Sequence, residues 1–493
     1  MKQINQLYFK KARLICVFCL SLFVTAQSQN LTSSPYSRYG LGEINQQSFA
    51  TSQAMGGSFI AWHQDTLAPF FINPANPASL SGIRLSAFEL GGQAQFTTIR
   101  NQNDFIKKQN LNFSYGSVAF PIKRFGGAAF GIMPYSTVGY KITSKDEDPN
   151  IGTMTYIFQG TGGVNKAFIA TGIKPLYNQL NKFYNSERKD TLVKYQRAAK
   201  FKRVKFAKEL LSQLSLGASA NYLFGNIYQS TNAIYPSSTT YFNAKRERST
   251  YVSDFIFNAG IQTHFSIDSV RNFGKKVNGA KRRDLKQKIK IGVGAYANIP
   301  GSINAKQSNI IYNYNIDGFG IERPKDTILK SQDVLGSITM PFEVGVGLSI
   351  KKGEKFMMLL DASRTNWSEF SYFGTASANF KNSYRYSLGI NYSPNKMAFG
   401  TSNYYKRMQY RLGLSYSDGY IDLKQTSITN YAITAGLGFP VGLGRFDDIS
   451  MVNVSVQYGK LGTTSNSLLQ EDYYRIILGF TFNKRWFIKY KYD

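Results

Sequence analysis

The chain has 493 residues, with 59 Lys and Arg against 29 Asp and Glu, a formal net charge of +30. Hydrophobic residues make up 43% and aromatics 15%, yet beyond the N-terminus no run of about 18 apolar residues occurs, so a helical membrane span is excluded. The two cysteines, Cys16 and Cys19, sit in the first stretch and the two histidines are His63 and His264. A chain cut behind that stretch therefore has no disulfide, no thiol nucleophile and no Cys- or His-rich metal site, and no cofactor is implied.

Lys2, Lys10, Lys11 and Arg13 precede a short apolar run at 14–24, followed by Val24-Thr25-Ala26. This is the pattern of a secretory signal peptide, residues 1–26, cut after Ala26. Residues 27–81 do not alternate. They hold a small-residue stretch (Ala54, Gly56, Gly57, Ser58) and a doubled turn, Asn73-Pro74-Ala75 then Asn76-Pro77-Ala78. Proline fixes φ and removes a donor, so the Asn-Pro steps specify turns and helix starts and not ladder strands. The apolar residues Met55, Phe59, Ile60, Trp62, Phe70 and Phe71 argue against a solvated tail. The segment is expected to fold back as a plug.

From residue 82 to 482 the chain reads as strands. They are expected at about 83–99, 111–121, 125–141, 154–174, 214–234, 251–267, 289–300, 342–350, 356–363, 384–392, 408–416, 431–439, 452–458 and 473–482. Side chains on a strand alternate between faces. In the late segments Tyr384, Tyr386, Leu388 and Ile390 alternate with Arg385, Ser387 and Gly389, and Leu412, Leu414 and Tyr416 with Arg411, Gly413 and Ser415. A soluble all-β sandwich would also alternate. Two details favour a transmembrane antiparallel β-barrel of about fourteen strands: Tyr at both ends of the apolar faces, matching aromatic girdles, and Gly, Ser, Asn and Arg opposite, suiting a wet lumen. With a signal peptide, such a barrel belongs in the bacterial outer membrane, in contact with lipid and lipopolysaccharide.

Several stretches resemble the FadL/TodX family of outer-membrane transporters of hydrophobic compounds. Gln53-Ala54-Met55-Gly56-Gly57 and Asn76-Pro77-Ala78-Ser79-Leu80 are similar to its N-terminal hatch. Residues 130–136 with Gly139-Tyr140 are similar to a kinked strand, residues 361–370 to a strand-end Trp-Ser-x-Phe signature, and 411–416 to an Arg-x-Gly-x-x-Tyr strand. The resemblance implies passive uptake of a hydrophobic, long-chain fatty-acid-like solute, with sideways release through a bent third strand. It makes Asn73, Pro74, Ala75, Asn76, Pro77 and Ala78 the hatch turn, and Gly131, Pro134, Tyr135 and Gly139 the lateral gate. Trp367, Phe370, Tyr372 and Phe373 become an outer-loop capture patch, although interfacial anchoring explains them equally. Arg385 and Arg411, on polar faces, are candidates for a ligand carboxylate or for balancing Glu343 or Asp361.

Parity places 123–124 and 351–355 in short periplasmic turns and 301–338 and 365–380 outside. Two basic insertions, 176–213 and 268–288, fall on the periplasmic side, and 483–493 reads as a periplasmic extension. The insertions suggest a second function: a secretion-associated or structural barrel that binds a periplasmic protein partner. Nucleic acid is not an expected partner, since no basic recognition motif appears. An enzyme is not expected either: His264 shares a polar face with Asn258 and Gln262, but no Gly-x-Ser-x-Gly elbow occurs.

Overall fold

The computed structural model describes residues 34–63, 70–123, 125–176, 210–236, 241–268, 288–317, 319–396, 398, 403–441 and 450–484. The signal peptide, most of both basic insertions and residues 485–493 lie outside the described residues.

Fourteen antiparallel staves form the wall. They are β1 (Ser86–Arg100), β2 (Phe105–Ile122), β3 (Gly126–Asp148), β4 (Gly152–Ile173), β5 (Ser215–Ile234), β6 (Asn243–Asp268) and β7 (Lys288–Ile299). Then follow β8 (Glu343–Lys352), β9 (Phe356–Thr365), β10 (Ser383–Tyr392), β11 (Gln409–Ser417), β12 (Asn430–Val441), β13 (Ser450–Gly462) and β14 (Gln470–Lys484). Each pairs with its chain neighbour, and β1 closes on β14 from Ser86↔Lys484 to Arg100↔Gln470. Closure leaves no free sheet edge between first and last stave, the condition for a sheet in hydrocarbon. Alternation sends Phe255, Phe257, Ile261, Tyr386, Leu412, Leu414 and Ile433 outward, where they are exposed. A continuous apolar surface of this kind is a lipid-facing band.

Three staves are longer than alternation foretold. β2 begins at Phe105, β3 runs on to Asp148 and β6 begins at Asn243. Residues 107–110, 143–148 and 245–250 are polar on both faces, so a two-residue period is weak there although the ladder continues. The long outer segment is itself a hairpin, Ser302–Ile316 with Glu322–Thr339. Its first strand pairs with the outer part of β6, from Asn243↔Tyr314 to Val252↔Ala305, while β7 takes the inner part, from Phe257↔Ile299 to Asp268↔Lys288. At the C-terminus Asn483 and Lys484 belong to β14 rather than to an extension. Asn483 is held there by accepting from Phe70 N and donating to Phe70 O at 3.2 Å.

Residues 34–63 and 70–85 lie inside the barrel and are mostly buried. Their approach to the wall explains the glycines of the lumen faces. A Cβ on Gly172, Gly217, Gly260, Gly294, Gly389 or Gly413 would collide with the N-terminal segment, at Pro77 O, Ala78 N, Asn76 Oδ1, Ile60 O, Met55 and Gly56 N respectively. The glycine faces thus reflect close backbone approach as much as water.

Candidate functional site

The doubled Asn-Pro turn ties the N-terminal segment to itself. Asn73 Oδ1 accepts from Ala75 N at 3.2 Å and Asn76 N at 3.3 Å, and its Nδ2 donates to Phe59 O at 2.9 Å. Asn76 caps the turn Pro77–Gly82 by accepting from Ala78 N at 3.2 Å, and donates to Ile60 O at 2.6 Å. Each asparagine therefore starts one turn and returns to the Phe59–Ile60 strip. Pro74 and Pro77 are buried, Ala75 faces the open part of the lumen, and Ala78 lies against Gly217. Asp361 of β9 anchors the same strip, its Oδ2 accepting from Phe59 N at 2.6 Å and Ile60 N at 2.9 Å.

Above this strip the lumen opens into a cavity of about 330 Å³. Its floor is Phe59, Ile60, Ala75 and Asn258, and its roof includes Trp367, Tyr420 and Met340. Ionisable groups line the wall: Lys166, Arg385 and Arg475 against Glu43, Glu343, Asp361 and Glu471. Several of them are held in place. Glu343 accepts from Tyr296 and, at 2.7 Å, from Asn298 Nδ2. Arg475 donates twice to Gln95 Oε1, at 3.0 and 2.8 Å, and lies 3.8 Å from Glu43. Arg385 Nη2 donates to Gly56 O at 3.1 Å. The cavity therefore presents fixed charges of both signs beside aromatic surface.

The two arginines singled out by alternation part company. Arg385 lines the cavity. Arg411 is 2% exposed and lies below, donating to Asn453 Oδ1 at 2.8 Å and to Gln409, with its guanidinium 5.7 Å from the Phe71 ring. The four aromatics of the outer loop do not form an open patch. Trp367 and Phe370 are buried with Phe380, and Trp367 stacks on Tyr420 at 4.2 Å. Tyr372 shares a hydrogen bond of 2.6 Å with Thr250, and Phe373 covers Gly336. Of the four, Trp367 reaches the cavity. Burial pushes the Tyr420 phenol up, so it stays protonated and donates to Gly42 O at 3.1 Å.

The wall has a seam beside Pro134. β2 pairs with β3 only from Ile122↔Gly126 to Gly116↔Ile132, although both staves continue outward. Gly131 lies at the seam's base, against Gly116 O and Ser117. Beyond it β3 bulges: Pro134 faces Asn165, Ser136 faces Val164, and Tyr135 is the extra residue. The edge of β3 released from β2 is taken by the N-terminal segment. Glu43 pairs with Thr137 and Ile44 with Ser136, Asn45 N donates to Tyr135 O at 2.9 Å, and Gly139 exchanges bonds of 3.0 Å with Ser34 and Ser37. An unpaired backbone group in hydrocarbon costs several kcal/mol, so the short strand Glu43–Ile44 replaces what β2 does not supply. Tyr135 and residues 43–47 also line the cavity, which is thus bounded by the residues that fill the seam.

Lys166, Arg475 and Glu43 were not read from the sequence as lumen groups. Parity contains the first two: Lys166 shares a face with Phe168 and Ala170, and Arg475 alternates with Tyr474 and Ile476. Glu43 had no such signal, because its two-residue strand is defined by the edge it meets.

Among solved structures the chain is similar to a Pseudomonas aeruginosa FadL homologue, with a TM-score of 0.50 at 10% identity over 90% of this chain and 100% of that one. It is also similar to the Pseudomonas putida toluene transporter TodX (TM-score 0.46, 15% identity, 90% and 99% covered) and to the monoaromatic hydrocarbon channel CymD (0.44, 13%, 91% and 99%). No curated protein matches. At such identities the likeness to the FadL homologue concerns fold, and the fold is the FadL-like barrel that the sequence motifs implied. A closed barrel of this type with a lipid-facing band places the chain in the bacterial outer membrane. The family model of BamG matches residues 9–182 and 179–493, nearly the whole length, and the chain belongs to the BamG family.

Proposed function

We propose that the protein admits amphipathic, largely hydrophobic small molecules, of the size of a fatty acid, from the cell surface and releases them sideways into the membrane. The carrying observation is the seam between β2 and β3: the residues that fill it, Glu43–Ile44 and Tyr135, are also walls of the cavity. A solute in the cavity is separated from lipid by a two-residue strand and a side chain, not by a full ladder. Pro134 has no N–H to give to a ladder, which favours a bend at this point. The doubled Asn-Pro turn holds the Phe59–Ile60 strip as a fixed floor, so residues 34–48 act as the movable part of the plug. Fixed charges beside aromatic surface suit a ligand with a polar head and an apolar body better than a pure hydrocarbon, because unpaired buried charges are costly to cover. Arg385, Lys166 and Arg475 are the groups that meet an anionic head. Trp367 and Tyr420 meet the apolar part.

Two cysteines at the register pair Glu43→Cys and Thr137→Cys test this. A chain cut after Ala26 has no other cysteine, and directly paired residues across an antiparallel ladder lie within disulfide reach. Uptake of a fluorescent fatty acid is measured in cells carrying the double variant, oxidised and then reduced. Oxidation should lower flux to the level of cells lacking the protein, and reduction should restore it. Equal flux in both states rules out release at this seam. Equal flux with and without the protein rules out conduction itself.

A further inference from the structure

The periplasmic end of the lumen carries a second set of charges that the cavity does not use. Lys174 follows β4, His264 is on β6, Lys290 on β7 and Lys351 on β8. His63, from the N-terminal segment, reaches among them and stacks on His264 with ring centroids 4.5 Å apart and planes 12° from parallel. Lys351, Lys290 and Lys174 all act on His63 through space, Lys174 and Lys290 act on His264, and Arg84 acts on Lys174. Lys290 and Lys351 are direct partners in the β7–β8 ladder. Like charges placed directly opposite destabilise a sheet. The acid ion-paired here, among the described residues, is Glu354, 3.3 Å from both Lys351 and Lys396. Burial works against its charge, but these two ammonium groups hold its carboxyl below the usual range.

A second, independent observation points to a ligand. His63 is 5% exposed, and its Nε2 has no hydrogen-bond partner among the described residues. Its Nδ1 lies 3.5 Å from Ser349 Oγ. The Ser349 hydroxyl can donate to Nδ1 or accept from it, so Nε2 is either a buried donor without an acceptor or a buried acceptor without a donor among the described residues. Buried polar groups nearly always have a partner. The cluster thus joins a surplus of positive charge to an unanswered ring nitrogen, and a phosphate group, which carries acceptor oxygens and an O–H, satisfies both in either tautomer.

We propose that this cluster at the periplasmic mouth binds a small oxyanion, a phosphate or phosphate-ester group, held by Lys174, Lys290 and Lys351 and hydrogen-bonded to His63 Nε2. Two sources share that chemistry: a free anion such as phosphate, and the head group of an anionic amphiphile. The site stands apart from the cavity, and its existence does not depend on what the cavity conducts.

The chain's two histidines make the test direct. Full-length mature protein is labelled with [15N]histidine, purified in non-ionic detergent without a histidine tag, and titrated with inorganic phosphate, with dodecyl phosphate, and with chloride at matched ionic strength. Both imidazole signals should shift saturably with phosphate and not with chloride. Tighter binding of dodecyl phosphate assigns the site to an amphiphile head group, and equal binding assigns it to the free anion. Lys290→Gln should weaken either ligand at least about tenfold, and Lys290→Arg should retain it. Because Lys290→Gln removes a like-charge pair, thermal stability should not fall, which separates lost binding from lost folding. Absence of a phosphate-specific shift, or wild-type affinity in Lys290→Gln, overturns the proposal.

Discussion

The inner and outer halves of the lumen hold the same N-terminal segment in opposite ways. In the inner half, residues 54–60 and 76–81 lie directly on wall glycines of several staves, so backbone touches backbone. In the outer half, residues 34–45 are attached by hydrogen bonds, along the edge of β3 and from Ser34, Tyr36 and Gly42 to Glu471, Leu469 and Tyr420, and they border a cavity of about 330 Å³. Close-packed contact on many staves resists displacement as a unit. A short ladder at one edge can open without disturbing the rest. Under the proposed sideways release, the contrast divides the segment into a fixed floor and a movable side.

The strongest way to break the contrast is to fill a glycine of the inner half. Gly413→Val places a branched side chain where even a Cβ would collide with Gly56 N. Overpacking against backbone costs about 3 kcal/mol or more, since no rotamer relieves it. The expected result is a lower temperature for the loss of heat-modifiable migration on electrophoresis, with much of the protein failing to assemble. Gly301→Ala, where nothing lies within 4 Å, should behave as wild type. If Gly413→Val assembles normally, the segment is not fixed by this contact.

The two arginines sharpen the same division. Arg411 is sealed under the floor, so Arg411→Ala should cost about 3 kcal/mol by leaving a cavity and unanswered polar partners. Its effect on uptake should follow only from the loss of folded protein. Arg385 lines the cavity, so Arg385→Ala should cost only about 1 kcal/mol and alter uptake of an anionic amphiphile more than that of its neutral alcohol. Denaturation midpoints beside the two uptake ratios check both statements. Between these effects lies Asp361→Asn. It keeps an acceptor for Phe59 N and Ile60 N but loses the charge, and should lower stability by about 1–2 kcal/mol.

Much of the wall was legible because lipid imposes it. Outward residues such as Tyr386, Leu412 and Ile433 must be apolar wherever a stave crosses hydrocarbon, so a period of two survives across all fourteen staves. The lumen was less legible. Polar residues and glycines there serve water, ion pairs and close backbone approach alike, and the letters do not say which. Arg385 and Arg411 look equivalent in their strands, yet one faces the cavity and the other is covered by the segment around Phe71. The outer aromatics misled for a similar reason. Trp367 and Phe370 in a polar loop read as a surface patch, but the barrel's outer end has its own apolar roof, completed by Phe380 from the far end of the same loop and by Tyr420 from the next outer loop. The seam was the least visible of all. Pro134 marked the place of the bulge, but nothing in the letters showed that β2 stops pairing at Gly116 and that Glu43–Ile44 takes the edge of β3 beyond it.

The mildest test acts on the movable side alone. Tyr420 donates to Gly42 O at 3.1 Å while its ring stacks on Trp367. Tyr420→Phe keeps the ring and removes the bond, worth about 1 kcal/mol. Global stability should hardly change, because the floor and the wall are untouched. Amide exchange across residues 40–48 should instead speed up by about fivefold, the ratio corresponding to that energy, while exchange across 54–60 stays at the wild-type rate. Equal acceleration in both stretches would mean that the segment moves as one body, and the division between floor and side would fail.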